Sequence, residues 1–281
     1  MRSSFKDPLN VPVKNPCCSS MLKESIKGTF KAVLPVPVKR WIYEQLQRWD
    51  NHDHGRKRQV PVGQVNFGSL RKLRPIAPDF GWKWGKCIDR YYIDAFLNQY
   101  MSDIHGRVLE IQENGYTRRF GGARVRQSDV LHFVPGNANA TIVADLTRAD
   151  HVPSDTFDCI ILTQTLQFIY DLRAALQTLY RILKPGGVLL ATSHGISQIA
   201  RYDMDNWGEY WRLTSLSARK IFTEVFPEEC VTVHAYGNVL AAVAFLHGLT
   251  AEEVRRDELD YQDRDYEVLL GIRAVKPRLS D

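Results

Sequence analysis

Three carboxylates stand at intervals that suit the holding of a nucleoside cofactor. Glu110 closes the apolar run RVLEI, where a carboxylate facing a ligand would neutralise a cationic group. Asp129 follows it by 19 residues, near the ~20 that bring an acid to ribose hydroxyls in dinucleotide folds. Asp145, with Leu146, follows a third apolar run. Between the first two acids lies Gln112-Glu113-Asn114-Gly115-Tyr116, with one glycine where a cofactor-binding turn usually carries three. Glycine serves in such turns for positive φ and close backbone approach. Asn114 tolerates the left-handed region, and Gly115 can absorb a shifted turn. Gln112 is the residue whose side chain would intrude on a ligand.

A second group of reactive side chains lies further along. His194 follows an apolar run and is the best-placed candidate for a general base. The segment RYDMDNWGEYWRLT then gathers Tyr202, Trp207, Tyr210 and Trp211 with Arg201 and Arg212, and it adds Asp203, Asp205 and Glu209. Aromatic rings with polar tips suit sugar faces, or a lid that excludes water.

These groups need a frame, and from Gly106 onward the chain supplies one. Apolar runs alternate with helical patterns, which predicts a mostly parallel α/β sheet. RVLEI, ARVRQSDV, ATIVADL, FDCIILTQ and GVLLATSH read as the first five strands, VTVHAYG as the sixth and YEVLLGIRAVK as the last. Leu172, Leu176, Leu179 and Leu183 fall on one face of an amphipathic helix. That helix ends at Lys184-Pro185 and turns through Gly186-Gly187. Another helix is expected over Leu216–Phe226, and VLAAVAFLHGL, apolar all round, reads as a buried one. The expected fold is α/β: a Rossmann-like, seven-stranded, mostly parallel sheet with an antiparallel last strand and flanking helices. An N-terminal helical extension precedes it.

Residues 1–20 are polar and aperiodic and read as a disordered tail. Residues 21–104 read as a helical and loop extension, and 105–277 as the main domain. Asp89 is a candidate N-cap for a helix through RYYIDAFLNQYM. His52-Asp53-His54 has no further ligand nearby and reads as a solvated loop, so no metal is implied. The five cysteines lack metal spacing and suit reduced thiols in a cytoplasm. The opening residues show no secretory signal, and no apolar run approaches the ~20 residues that span a bilayer. Residues 1–105 carry 18 Lys/Arg against 9 Asp/Glu, while the remainder is mildly acidic. Without a nucleic-acid motif, that balance reads as a solvated surface and leaves room for peripheral membrane contact.

Glu110, Asp129, "VADL", "FDCIILTQTLQFIYD" and "LKPGGVLLAT" together resemble the successive motifs of class I S-adenosylmethionine-dependent methyltransferases. The likeness covers roughly residues 105–276, and TFDCIILTQTLQFI…LKPGG is its most specific part. More loosely, IDRYYI, YTRRFGG and RYDMDNWGEYWRLT resemble bacterial proteins associated with polysaccharide synthesis. The resemblance implies S-adenosylmethionine as cofactor. It places Glu110 near the methionine portion, Gln112, Asn114, Gly115 and Tyr116 in the cofactor loop, and Asp129 on the ribose. Asp145 and Leu146 would meet the adenine, with Thr163 and Gln164 beneath the cofactor. Arg90 would pair with the cofactor carboxylate, and Tyr91 or Tyr92 would line the pocket. His194 is then the candidate base, and Trp207, Tyr210, Trp211 and Arg212 the candidate acceptor wall.

The leading expectation is methyl transfer to a sugar hydroxyl of a glycan or glycolipid precursor. An inactive, methyltransferase-like partner in polysaccharide assembly is the alternative that Gln112 keeps open. An NAD-dependent enzyme is disfavoured by the missing dinucleotide fingerprint and by the Lys-Pro-Gly-Gly turn. Oligomeric state is not legible in the sequence.

Overall fold

The computed structural model describes residues 68–278. The chain divides into two units at Phe67/Gly68, and the second is the one described. The expectations for residues 1–67, including the disordered tail, the first helices and the His52–His54 loop, lie outside the described residues.

Seven strands form one sheet: β1 (Gly106–Ile111), β2 (Val125–His132), β3 (Ile142–Val143), β4 (Phe157–Leu162), β5 (Leu183–His194), β6 (Val231–Tyr236) and β7 (Leu269–Val275). Their order is β3-β2-β1-β4-β5-β7-β6. β7 runs antiparallel to both neighbours, and the other pairings are parallel. Order and direction agree with the expected Rossmann-like architecture. The order reverses between β1 and β4, and ligands of open α/β sheets bind outside the carboxyl ends of the strands at such a point.

Strand residues alternate between two cores, as a period of two requires. Leu109, Ile160, Leu162, Leu189 and Ala191 pack with helices α2 (Leu172–Ile182) and α4 (Ser215–Thr223). Val108, Cys159, Ile161, Val188 and Leu190 pack with α1 (Ile88–Gln99) and α5 (Val239–Leu246) on the other face. Two short helices, α3 (Arg201–Asn206) and α6 (Arg256–Asp260), complete the α-helices among the described residues. The Asp171 carboxylate caps α2 by accepting the Ala174 N–H at 3.0 Å. Gly186, at φ 83°, makes the turn that no β-branched residue would.

Several expectations need correction. The boundary between 104 and 105 is not structural, because α1 buries Ile88, Tyr92, Ile93, Phe96 and Leu97 in the sheet's own core. Asp89 lies inside α1 rather than at its N-cap, which Cys87 occupies without a side-chain bond. The helix α2 stops at Ile182, short of Lys184, which lies in β5 and pairs with Asp158 at 2.8 Å. α5 is buried on one side only. Ala241, Ala242, Ala244 and Phe245 face the core, while Val239, Leu240, Val243 and Leu246 are exposed. An apolar composition fixed the helix but not its environment.

Candidate functional site

β1 delivers Glu110 to the sheet's carboxyl edge with its carboxylate buried. One oxygen accepts the Thr117 N–H at 2.7 Å and the Thr117 hydroxyl at 2.7 Å, and the other accepts the Tyr116 N–H at 3.2 Å. The acid therefore anchors the start of the wide helical turn Thr117–Gly121. Burial lifts its pKa above the usual glutamate range, against the pull of the bonds from Thr117 and Tyr116.

The altered loop keeps a sharp turn. Gln112 itself adopts φ 71°, the left-handed region that glycine would take without cost. Its N–H donates to the Leu131 carbonyl at 2.9 Å, and its carbonyl accepts Asn137 Nδ2–H at 2.7 Å. Asn114 and Tyr116 are not left-handed; Tyr116 is helical at φ −71°. The tolerance of Asn114 for the left-handed region is thus not used, and the positive φ falls on Gln112. Asn114 instead donates to the Ser128 hydroxyl at 3.0 Å. Beside Gly115 the space is open, with only the Glu113 side chain within 4 Å of a built Cβ. Burial pushes the Tyr116 phenol up to about 12.

A second left-handed residue stands on the neighbouring strand. Gln164, two residues past β4, has φ 48°. Its N–H is held by the Thr192 carbonyl and hydroxyl, each at 3.2 Å. The Gln164 Oε1 accepts from Gln167 at 3.3 Å, which leaves Gln164 Nε2 and Gln167 Oε1 buried without partners. Thr163 lies beside them, its carbonyl accepting the Thr165 hydroxyl. Strained residues and unpaired buried amides each cost about 1–3 kcal/mol, and such features cluster at ligand sites.

α1 brings Arg90 to this edge. Its guanidinium lies 3.6 Å from Asp89 Oδ2 and interacts electrostatically with Tyr116, Glu113 and Asp203. Burial and the nearby Glu209 carboxylate raise the Asp203 pKa, while Arg90 pulls it down. Tyr91 and Tyr92 are not brought along. Tyr91 donates to Asp260 at 2.5 Å, and Tyr92 is buried with its hydroxyl on the Leu259 carbonyl.

His194 ends β5 as expected, but it is buried. Its Nε2 is 3.2 Å from Asp89 Oδ2, and its ring stacks against Phe80 and tilts against Phe245. Nδ1 has neither partner nor solvent. Service as a base therefore requires the packing around the ring, which includes Phe80 and Phe245, to open. Burial opposes the Asp89 charge, yet Arg90 and His194 together hold its pKa below the ordinary carboxylate value.

Asp129 departs furthest from expectation. It sits opposite Leu109 in mid-strand, three residues short of the end of β2. Its carboxylate is taken by Arg107 Nε at 2.7 Å, the Thr141 hydroxyl at 3.0 Å and Gln127 at 3.2 Å. His132 and Phe133 occupy the carboxyl end of β2 instead. Asp145 is also engaged, accepting the Thr147 N–H and hydroxyl, and Leu146 is buried in the core.

The 198–212 segment is pinned to the sheet edge. Arg212 pairs with the buried Glu209 at 2.7 Å and reaches the Gln198 carbonyl, while Trp211 Nε1 donates to the Ile169 carbonyl. Those two side chains hold the segment in place. Tyr210 and Trp207 remain exposed; Tyr210 packs edge-on to Tyr170, and Trp207 edge-on to Phe133. Asp89, Gln167, Phe80 and Phe133 were missed in the sequence. Only Gln167, three residues after Gln164, left a readable trace.

Residues 96–191 match a family model described as a methyltransferase domain. Among curated proteins, the chain is similar to the ubiquinone/menaquinone biosynthesis C-methyltransferase UbiE of Escherichia coli (strain K12 / DH10B). The identity is 28% over 142 residues, covering 49% of this chain and 54% of that one. It is 34% identical over 88 residues to the same-named protein of Klebsiella pneumoniae (strain 342), covering 30% and 32%. The chain thus spans about a third to a half of the length of these relatives. Among solved structures, a SAM-dependent methyltransferase from Archaeoglobus fulgidus has a TM-score of 0.45 at 13% identity, covering 66% of this chain and 94% of that one. Haemonchus contortus phosphoethanolamine N-methyltransferase 2 in complex with S-adenosyl-L-methionine has a TM-score of 0.45 at 16% identity, covering 78% and 62%.

Proposed function

We propose that this chain transfers the methyl group of S-adenosylmethionine to an acceptor held beneath the 198–212 segment. The observation that carries this reading is the pairing of two left-handed glutamines, Gln112 and Gln164, at the carboxyl ends of adjacent strands. Beside them lie the unpaired amide atoms of Gln164 and Gln167. A cofactor with polar edges would satisfy those atoms, so the residues present fit the group. Glu110 would face its cationic end, Arg90 its carboxylate, and Asn114, Gly115 and Tyr116 its flank. Thr163, Asp145 and Leu146 complete the proposed cradle, from which Asp129 is removed.

When bound, the cofactor supplies an electrophilic methyl group open to in-line displacement. The protein's part is then proximity, alignment and removal of a proton. The acceptor we propose is a sugar hydroxyl of a glycan or glycolipid precursor, supported by the exposed rings of Trp207 and Tyr210. His194, oriented by Asp89, is the proposed base. The curated relatives are named for carbon methylation, so a carbon acceptor is the second reading. An inactive relative is disfavoured, since Gln112 adopts the conformation the missing glycine would supply.

Calorimetric titration tests the core of this reading. Binding of S-adenosylmethionine and S-adenosylhomocysteine in the micromolar range is expected, with none for NAD. Binding of NAD instead, or of none of the three, would overturn it.

A further inference from the structure

Besides the exposed face of α5, the chain carries a second exposed apolar feature, on a segment that meets α5 at its C-terminal end. Residues 77–85 lie against the end of the helix: the Ala77 N–H donates to the His247 carbonyl at 3.0 Å, and Phe80 packs on Phe245 at 5.6 Å. A Cβ built on Gly81 would lie 2.5 Å from the Gly248 carbonyl oxygen, so the backbones are in close contact. From this segment Trp82 and Trp84 project, 68% and 64% exposed, with Leu73 wholly exposed nearby in sequence. Val239, Val243 and Leu246 fall at i, i+4 and i+7 along α5, one stripe, with Leu240 beside it.

Charge accompanies the apolar groups. Lys72, Arg74 and Lys83 are exposed on the same segment, and Lys83 alternates with the two tryptophans. Asp79, 3.7 Å from Lys83, is the single acid between residues 71 and 86. Tryptophan between lysines is the composition favoured where hydrocarbon meets headgroups, and lysine or arginine beside it favours anionic lipid. α5 has 8 residues, roughly 12 Å of helix, against the ~30 Å of a bilayer core. Such a face lies on a membrane rather than crossing it.

We propose that the α5 stripe and the 72–84 segment form a docking surface for an anionic lipid bilayer. The segment that carries Trp82 and Trp84 also carries Phe80, which packs with Phe245 against His194, so docking joins the membrane to the surroundings of the proposed base. Bilayer docking itself does not depend on methyl transfer.

The full chain is sedimented with vesicles of phosphatidylglycerol and phosphatidylcholine, and with phosphatidylcholine alone. Binding to the anionic vesicles is expected, weakening with salt. The W82A/W84A/V243E protein should lose roughly 10-fold or more in partition, as expected when several interfacial side chains are removed. Its circular dichroism and S-adenosylhomocysteine binding should stay at wild-type level. K72E/K83E should lose binding to anionic vesicles without altering the apolar face. Failure to bind, or binding that survives both sets of changes because the basic residues 1–67 carry it, overturns the proposal. So does a dimer in sedimentation velocity that V243E dissociates, which would assign the face to a second copy.

Discussion

The two edges of the sheet are built from the same strands and solve opposite problems. At the amino edge, Asp158 accepts the Arg107 N–H at 2.7 Å and Lys184 Nζ at 2.8 Å, and Asp155 pairs with Lys276 at 2.6 Å. Asp129, in mid-strand between the two edges, is bonded three times over. At the carboxyl edge, Gln112 and Gln164 are strained, and Gln164, Gln167, Ser193 and His194 each leave a buried polar atom unpaired. A cavity of about 530 Å³ opens at the amino edge, lined by His105, Arg124, Arg126, Asp158 and Lys184. The carboxylate in its lining, Asp158, is already paired with Lys184. Unpaired buried polar atoms retain an unmet hydrogen-bond demand, which the paired groups of the amino-edge cavity do not. Asp155, at φ 51°, shows that strain alone is not the signal, since its carboxylate is paired.

The comparison breaks most visibly at His194. If Asp89 orients that imidazole for proton removal, His194→Ala should lower turnover by roughly 10²–10⁴ and leave cofactor affinity nearly unchanged. Lys184→Ala at the opposite edge should leave turnover intact. Equal losses from the two substitutions would show that the edges do not differ in role. Trp207→Ala and Tyr210→Ala should instead raise the acceptor's KM, read from the same assay.

A smaller effect is expected at the loop. Gln112→Gly removes a left-handed glutamine, relieving about 1 kcal/mol of strain, seen as a raised Tm with cofactor affinity preserved or improved. A lowered Tm would mean that the Gln112 side chain makes a stabilising contact that outweighs its backbone.

The smallest effect concerns pH. Burial raises the Glu110 pKa, so on acidification this carboxylate is neutralised earlier than an ordinary glutamate. Affinity for a cationic cofactor should therefore be full above the raised pKa and decline while the pH is still above the ordinary value of 4.5. Titrations between pH 8 and 5 read this directly. In the apo protein the sign for stability is the reverse, since a raised folded pKa makes the charged carboxylate a cost as pH climbs through that window.

Much of this was legible because buried parallel strands are continuous apolar runs, whose ends define the functional edge. RVLEI and FDCIIL carried Glu110 and Gln164 to that edge without ambiguity. The position of Asp129 was not legible for the same reason in reverse: the spacing of 19 residues says nothing of how far a strand continues, and β2 runs on to His132. Asp89 was hidden because its role depends on a contact with His194 across 105 residues. The stripe on α5 was hidden too, since a helix of Ala, Val, Leu and Phe has almost no polar face to declare which side meets solvent.

The contrast between the edges, and the cofactor site drawn from it, meets its most direct test in one paired titration. S-adenosylhomocysteine is titrated into the wild-type, Glu110→Ala and Asp129→Ala proteins, with Tm recorded for each. Loss of charge-assisted hydrogen bonding at Glu110 should weaken binding by about 1.5–3 kcal/mol. Asp129→Ala should lower Tm, because it strips Arg107 of its partner, and should leave affinity within a factor of about two of wild type, as expected for a residue that contacts no ligand. The reverse pattern, with affinity lost at Asp129 and kept at Glu110, would contradict the assignment of the site to the carboxyl edge.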